Sequence, residues 1–264
     1  MQLAIDSNSL SQDTAAAISR AAALGFTMIE LNLQPAEFDY GYRRKVSARF
    51  YRRLREQLDS AGVSVWSVTP PPLNQRQMFF ERARKDILMG AAIAAGILGA
   101  RVYAVEPANI FNSEMAFNTY LRERTAPPMV EGYDESWVQA ANRQVSTAIL
   151  NIDYWMGIPL TNQVDHIKRV TEDLAIGWAM DIPMALRRNT LAAWLEGAGK
   201  RMAVAYAYDL TEDGLPTLPT DESWQQTLPA LATSTLKTVV IRGGLGCSDE
   251  EILACRRALQ DILS

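Results

Sequence analysis

Short apolar runs alternate along this chain with longer segments whose apolar positions recur at helical spacing, and glycine or proline marks many of the junctions. Leu3–Asp6 reads as a strand ending in an acid. Asp13–Gly25 follows as an Ala-rich helix stopped by Gly25, and Met28–Leu33 as a second strand carrying Glu30. Val46–Gly62 is an amphipathic helix, again closed by glycine. Val63–Thr69 is a third strand, ended by Pro70, Pro71 and Pro72, which continue neither ladder nor helix. Glu81–Gly99 predicts a helix and Arg101–Glu106 a fourth strand. Beyond these, Glu135–Trp155 reads as a helix, Ile158–Asn162 as strand five and Val164–Leu174 as a helix. Ile176–Asp181 is strand six, Thr190–Gly199 a helix and Met202–Asp209 strand seven. A helical segment around Trp224–Leu231, strand eight at Leu236–Arg242 and a helix over Asp249–Leu263 close the series.

Strands alternating with helices predict a parallel sheet, and eight such units without a linker predict one α/β domain over 1–264, a (β/α)8 TIM barrel. The stretch 108–134 contains Pro127 and Pro128 and exceeds an ordinary connection, so it is expected to be an inserted lid. Its Phe111, Phe117, Tyr120 and Tyr133 need burial, for which an oligomer contact is the alternative. Parallel barrels carry their reactive groups at the C-terminal ends of strands. The candidate rim is therefore Asp6, Glu30, Thr69, Glu106, Asn162, Asp181, Tyr206, Tyr208, Asp209 and Arg242. Trp66 and Trp178 are placed near the barrel interior, whereas Trp137, Trp155 and Trp194 fall at helical packing positions. Each acid has a competing reading as a helix cap or salt-bridge partner.

Composition narrows the classes. A net charge of −4 argues against nucleic acid as partner, because binding phosphate chains needs a basic stripe. The basic run of Arg43, Arg44, Lys45, Arg49, Arg52, Arg53 and Arg55 sits at helical spacing and reads as a solvated face. Cys247 and Cys255 have no histidine near them, so a zinc site is not expected, and a reducing, cytoplasmic location is. The start MQLAIDSNSL lacks the features of a signal peptide, and Ile87–Ala100 is too short to span a bilayer. A single histidine, His166, is expected mid-helix as a structural or surface residue.

The segments AAALGFTMIELNL, LREQLDSAGVSVWSVT and ARKDILMGAAIAAGILGARVYAV resemble the xylose-isomerase-like TIM barrels, as do IGWAMDIPM, KRMAVAYAYDL and LPTDESWQQTLPAL followed by LKTVVIRGG. This group includes sugar phosphate isomerases and epimerases, hydroxypyruvate isomerase, inosose dehydratase and 3-dehydroshikimate dehydratase. The resemblance implies a divalent cation held by a glutamate after strand five, an aspartate after strand six, a histidine after strand seven and a glutamate after strand eight. A second histidine often follows the strand-six aspartate by three residues. Carried over, these positions fall on Thr161 or Asn162, Asp181, Tyr206 and Arg242, with Met184 at the second histidine position. One carboxylate beside an arginine is a poor site for Mg²⁺ or Mn²⁺, so neither metal nor cofactor is expected.

Two kinds of function fit. The first is a metal-independent isomerase, epimerase or dehydratase acting by proton transfer next to a carbonyl of a small polar or cyclic metabolite. Glu106, then Glu30, then Asp181 are its candidate bases or acids, with Tyr206 or Tyr208 as a hydrogen-bond or proton donor. Arg242 would clamp a developing oxyanion, with Asn162, Trp66, Asp6 and Tyr208 as further substrate contacts. The second is a non-catalytic relative that binds a small molecule or a partner enzyme, in which Arg242 and Asp181 form only an internal salt bridge. A homo-oligomer is compatible with either.

Overall fold

The computed structural model describes residues 1–34, 48–71, 81–105, 146–150, 163–173, 176–219, 223–232, 234 and 236–263. In chain order the main elements are β1 (Gln2–Asp6), α1 (Thr14–Ala23), β2 (Met28–Asn32), α2 (Ala48–Ala61), β3 (Ser64–Thr69), α3 (Glu81–Leu98), β4 (Val102–Val105) and β5 (Ser146–Leu150). They continue with α4 (Gln163–Thr171), β6 (Gly177–Asp181), α5 (Ile182–Arg187), α6 (Leu191–Ala198), β7 (Met202–Ala207), α7 (Ser223–Ala232), β8 (Thr238–Ile241) and α8 (Asp249–Leu263). The eight strands pair in parallel in the order β1-β8-β7-β6-β5-β4-β3-β2, and β1 pairs with both β8 and β2, so the barrel is closed. A small antiparallel hairpin (Asp209–Leu210 with Pro216–Thr217) follows β7 at the mouth.

Local chemistry sets the element ends. The Asp13 side chain accepts the Ala16 N–H at 2.7 Å and so caps α1. At α8, Ser248 and Glu251 form a reciprocal box, with Ser248 N donating to Glu251 Oε2 at 2.7 Å and Glu251 N to Ser248 Oγ at 3.2 Å. Gly99 (φ 70°) ends α3 in the left-handed region, where the Arg55 guanidinium reaches over it to the Leu98 carbonyl at 2.9 Å. No helix among the described residues is long and apolar enough to cross a membrane.

One sequence expectation fails here. The fifth strand is Ser146–Leu150, inside the segment read as a helix, and not Ile158–Asn162. Val145–Leu150 is rich in β-formers, whereas Pro159 has no N–H for a ladder and argues against a central strand. Asn162, the expected end of that strand, lies outside the described residues, as do Glu106, Thr161 and the expected lid at 108–134.

Two apolar layers result. Alternate strand residues such as Ile5, Ile29, Leu31, Val68, Tyr103, Met180 and Val239 pack outward against the helices. The others, Ala4, Met28, Val102, Ala104, Ala179, Val204, Tyr206, Tyr208 and Val240, fill the lumen. Trp178 belongs to the outer layer, against the expectation of an interior position, because strand alternation puts it on the same face as Met180 and turns Ala179 inward. Its ring meets Trp194 of α6 edge-on at 5.5 Å, and its indole N–H donates to Thr171 Oγ1 at 3.3 Å. Trp178→Ala is expected to destabilise the fold by about 3–5 kcal/mol. Urea unfolding measures this, and an unchanged midpoint would mean that the pair does not tie α6 to the sheet.

Candidate functional site

The lumen-facing ends of β1, β2, β3, β7 and β8 carry the polar residues that the apolar alternation leaves over. Glu30 lies at the centre with no solvent exposure. Its Oε1 accepts Arg242 Nη2 at 2.8 Å, and its Oε2 accepts Ser67 Oγ at 2.5 Å and Tyr206 Oη at 2.9 Å. The guanidinium carbon of Arg242 stacks 3.5 Å above the centre of the Tyr206 ring. Among the described residues, no protein acceptor meets the other Arg242 N–H groups, and the side chain is 21% exposed. Burial alone would lower the Arg242 pKa, but Glu30, Tyr206 and Asp6 outweigh it and hold the guanidinium firmly charged. Burial, then Glu30, pushes the Tyr206 pKa well up, so its proton stays in the hydrogen bond to Glu30.

Asp6 sits beside this cluster, opposite Glu30 in the β1–β2 register. Its Oδ2 accepts from Ser9 N at 3.2 Å and Ser9 Oγ at 3.0 Å, and Asn32 Nδ2 donates to its Oδ1. Burial pushes its pKa up to about 6, aided by Glu30 and opposed by Arg242 and by the Asn32 and Ser9 hydrogen bonds.

A second group lies at the end of β6. Asp181 caps α5 by accepting Met184 N on Oδ1 at 3.1 Å, and its Oδ2 accepts Tyr208 Oη at 2.6 Å. Asp181 and Arg242 do not form the internal salt bridge weighed under the non-catalytic reading: Arg242 pairs with Glu30. The cause is topological. Strand β7 lies between β6 and β8, and the Tyr206 ring packs against the guanidinium. Asp209 also leaves the rim, accepting Trp224 Nε1 at 2.8 Å from the loop hairpin.

Trp66 packs against the lumen residues as expected, at a bulge where Ile29 pairs with Val65 but Glu30 pairs with Ser67. Its buried indole N–H has no hydrogen-bond partner among the described residues. Sequence reasoning missed Ser9, Asn32 and Ser67. Asn32 two residues after Glu30 and Ser67 two before Thr69 carried a signal, since period two puts them on the lumen face.

These residues do not fit a divalent cation. Strand β6 supplies a carboxylate already committed to Met184 N and Tyr208, β7 supplies a phenol, and β8 supplies a guanidinium bound to Glu30. No group of three His, Cys, Asp or Glu suited to a metal occurs among the described residues.

No protein-family model and no curated protein matches the chain in sequence. Solved structures match it in fold along its whole length. A D-psicose 3-epimerase solved in the presence of D-fructose is 11% identical with a TM-score of 0.71, covering 100% of this chain and 99% of its own. A xylose isomerase domain containing protein from Salmonella typhimurium (11%, TM-score 0.67) covers 99% of this chain and 97% of its own. A sugar phosphate isomerase/epimerase from Parabacteroides distasonis (13%, TM-score 0.60) covers 100% and 99%. The chain thus has the fold of the xylose-isomerase-like TIM barrels.

The raised Asp6 pKa has a stability consequence with a definite sign. Below pH 3.8 the carboxyl is neutral in both folded and unfolded chains, and nothing is lost. As pH rises toward 6 the unfolded chain ionises first, so stability attributable to Asp6 falls and the loss is complete above that value. Asp6→Asn, which cannot ionise, should therefore gain on wild type by roughly 2–3 kcal/mol between pH 4 and pH 7.5. Parallel denaturation curves at the two pH values test this, and a constant difference would place the Asp6 pKa near its unfolded value.

Proposed function

We propose that this barrel mouth is a proton-transfer site of the isomerase or epimerase kind, acting without a divalent cation on a small polyhydroxylated or cyclic carbonyl compound. The observation that carries the reading is the half-used guanidinium of Arg242. One nitrogen is pinned by Glu30, the face rests on Tyr206, and the remaining donors are directed to no protein acceptor among the described residues. A cation so fixed is preorganised for an oxygen that becomes negative.

The chemistry follows in balanced steps. A carboxylate takes the proton from the carbon next to the carbonyl, and the electron pair moves onto the carbonyl oxygen at Arg242. Reprotonation at that carbon from the other face gives an epimer. Where that carbon bears a hydroxyl, transfer of the hydroxyl proton to the first oxygen and reprotonation at the former carbonyl carbon gives an isomer. When the carbonyl re-forms with loss of a hydroxyl from the next carbon, which takes up the abstracted proton and leaves as water, the product is a dehydrated carbonyl. Among the described acids, Asp6 suits the exchange through its pKa of about 6, close to working pH. Asp181, oriented by Met184 N and Tyr208, is the second. Glu30 is too fully committed to Arg242, Ser67 and Tyr206 to act as the base. Tyr206 is likewise a support for Glu30 and Arg242 more than a proton donor. Glu106 remains a candidate on its position after β4. The non-catalytic alternative is favoured by one feature: Asp6, Glu30 and Asp181 each already accept from protein donors.

D-psicose, D-fructose and D-tagatose, which occur with structural neighbours, are the first compounds to try. The expected outcome in deuterated water is label at the carbon next to the carbonyl, unchanged after chelation and lowered about 10²-fold or more in Arg242→Met. Label that disappears on chelation and returns with Mn²⁺ would overturn the metal-free reading. Binding without label across a wider panel of ketoses and cyclic ketones would establish the non-catalytic one.

A further inference from the structure

The buried Ser9 hydroxyl stands between Asp6 and the loop that follows β8. Ser9 Oγ lies 3.0 Å from Asp6 Oδ2 and 3.2 Å from the Gly243 carbonyl oxygen, and it accepts the Gly243 N–H at 2.7 Å. A hydroxyl carries one proton and cannot donate to both oxygens at once. The far side of Asp6 is fixed. Thr69 Oγ1 donates to Asn32 Oδ1 at 2.6 Å, which turns the Asn32 Nδ2 group onto Asp6 Oδ1. A proton arriving on Asp6 therefore goes to Oδ2, the oxygen facing Ser9.

We propose that Ser9 is a proton-controlled positioning residue, bonding Asp6 when that carboxyl is ionised and the Gly243 carbonyl when it is neutral. In the ionised state Ser9 Oγ–H donates to Asp6 Oδ2, and only the Gly243 N–H ties the loop to Ser9. In the neutral state Asp6 Oδ2–H donates to Ser9 Oγ, and Ser9 Oγ–H turns to the Gly243 carbonyl. The N–H and the carbonyl of Gly243 are then both held. The proton comes from solvent or from a bound molecule, and no covalent bond other than that to the proton changes.

The groups that set the switching point are identified. Glu30 faces Asp6 from β2, Arg242 from β8 and Tyr206 from β7, while β3 contributes only the uncharged Ser67 and Thr69. Burial is the largest influence and places the switch near pH 6. The loop is built to transmit it. Gly243 packs where a Cβ would meet Leu218 and Cys247, Arg20 Nη2 holds the Cys247 carbonyl at 2.7 Å, and Leu245 between them is 62% exposed. Arg242 precedes Gly243 directly, so the state of Asp6 reaches the backbone of the guanidinium clamp. The coupling requires only that Asp6 titrates and does not depend on catalysis.

The test is a pH titration of the ¹⁵N,¹³C-labelled full chain between about pH 4.5 and 8, a span centred on the raised carboxyl. The Asp6 carboxyl carbon and the Gly243 amide are expected to move with one common midpoint. In Ser9→Ala the Asp6 carbon should still titrate, while the Gly243 amide loses that midpoint. In Asp6→Asn, which carries no titrating proton, the Gly243 amide should lose the midpoint and stay flat across the range. This variant carries the test if Ser9→Ala does not fold. A Gly243 amide that is flat in wild type, or that titrates unchanged in Ser9→Ala or in Asp6→Asn, would overturn the proposal.

Discussion

A carboxylate with no access to water must find its charge balance within the protein, and Glu30 imposes that condition on the whole upper barrel. Its three donors come from three different strands, Ser67 on β3, Tyr206 on β7 and Arg242 just after β8. Removing any one of these leaves part of a buried charge unsatisfied, which costs several times what an exposed pair contributes. The network therefore fixes where these strand ends stand relative to one another. It also explains why the guanidinium keeps a constant pose: it is gripped at one nitrogen and supported across its face.

That pose decides what the mouth can do. A guanidinium does not accept a lone pair as a Lewis acid, but it can donate hydrogen bonds to a negative oxygen. Burial, with Glu30 and against the pull of Arg242, raises the pKa of the neighbouring Asp6 carboxyl to about 6. Two carboxylates set side by side by the β1–β2 register thus sit in different environments, one paired with the guanidinium and one held by Ser9 and Asn32 with a raised pKa.

Much of this was legible in the sequence because two periodicities are simple. Helical spacing and short apolar runs located most elements within a residue or two, and position at the C-terminal ends of strands picked out Asp6, Glu30, Asp181, Tyr206 and Arg242 as rim groups. The failures have equally plain causes. The segment around Ser146–Leu150 is short and apolar, so its pattern fits helix or strand, and the proline within Ile158–Asn162 was the overlooked discriminator. The partner of Arg242 could not be read from order along the chain. It depends on closure between β1 and β8, on a bulge at Trp66 and on the bulk of Tyr206, all of them long-range properties. The small polar supports Ser9, Asn32 and Ser67 were overlooked because serine and asparagine are common, and only their spacing to an acid distinguishes them.

The barrel seam joins β1 to β8, and the ion pair at its mouth joins residues separated by 212 positions. During synthesis, Glu30 emerges long before the arginine that neutralises it, and β1 offers a bare edge until the last strand arrives. Burying Glu30 before Arg242 arrives would leave its carboxylate without this counter-charge, which costs free energy. Contacts of such sequence separation form slowly, and strand edges stay open to wrong partners until they do. The residue pair that gives the mouth its chemical character thus also bears on assembly: Glu30 gains this counter-charge only once the last strand has arrived.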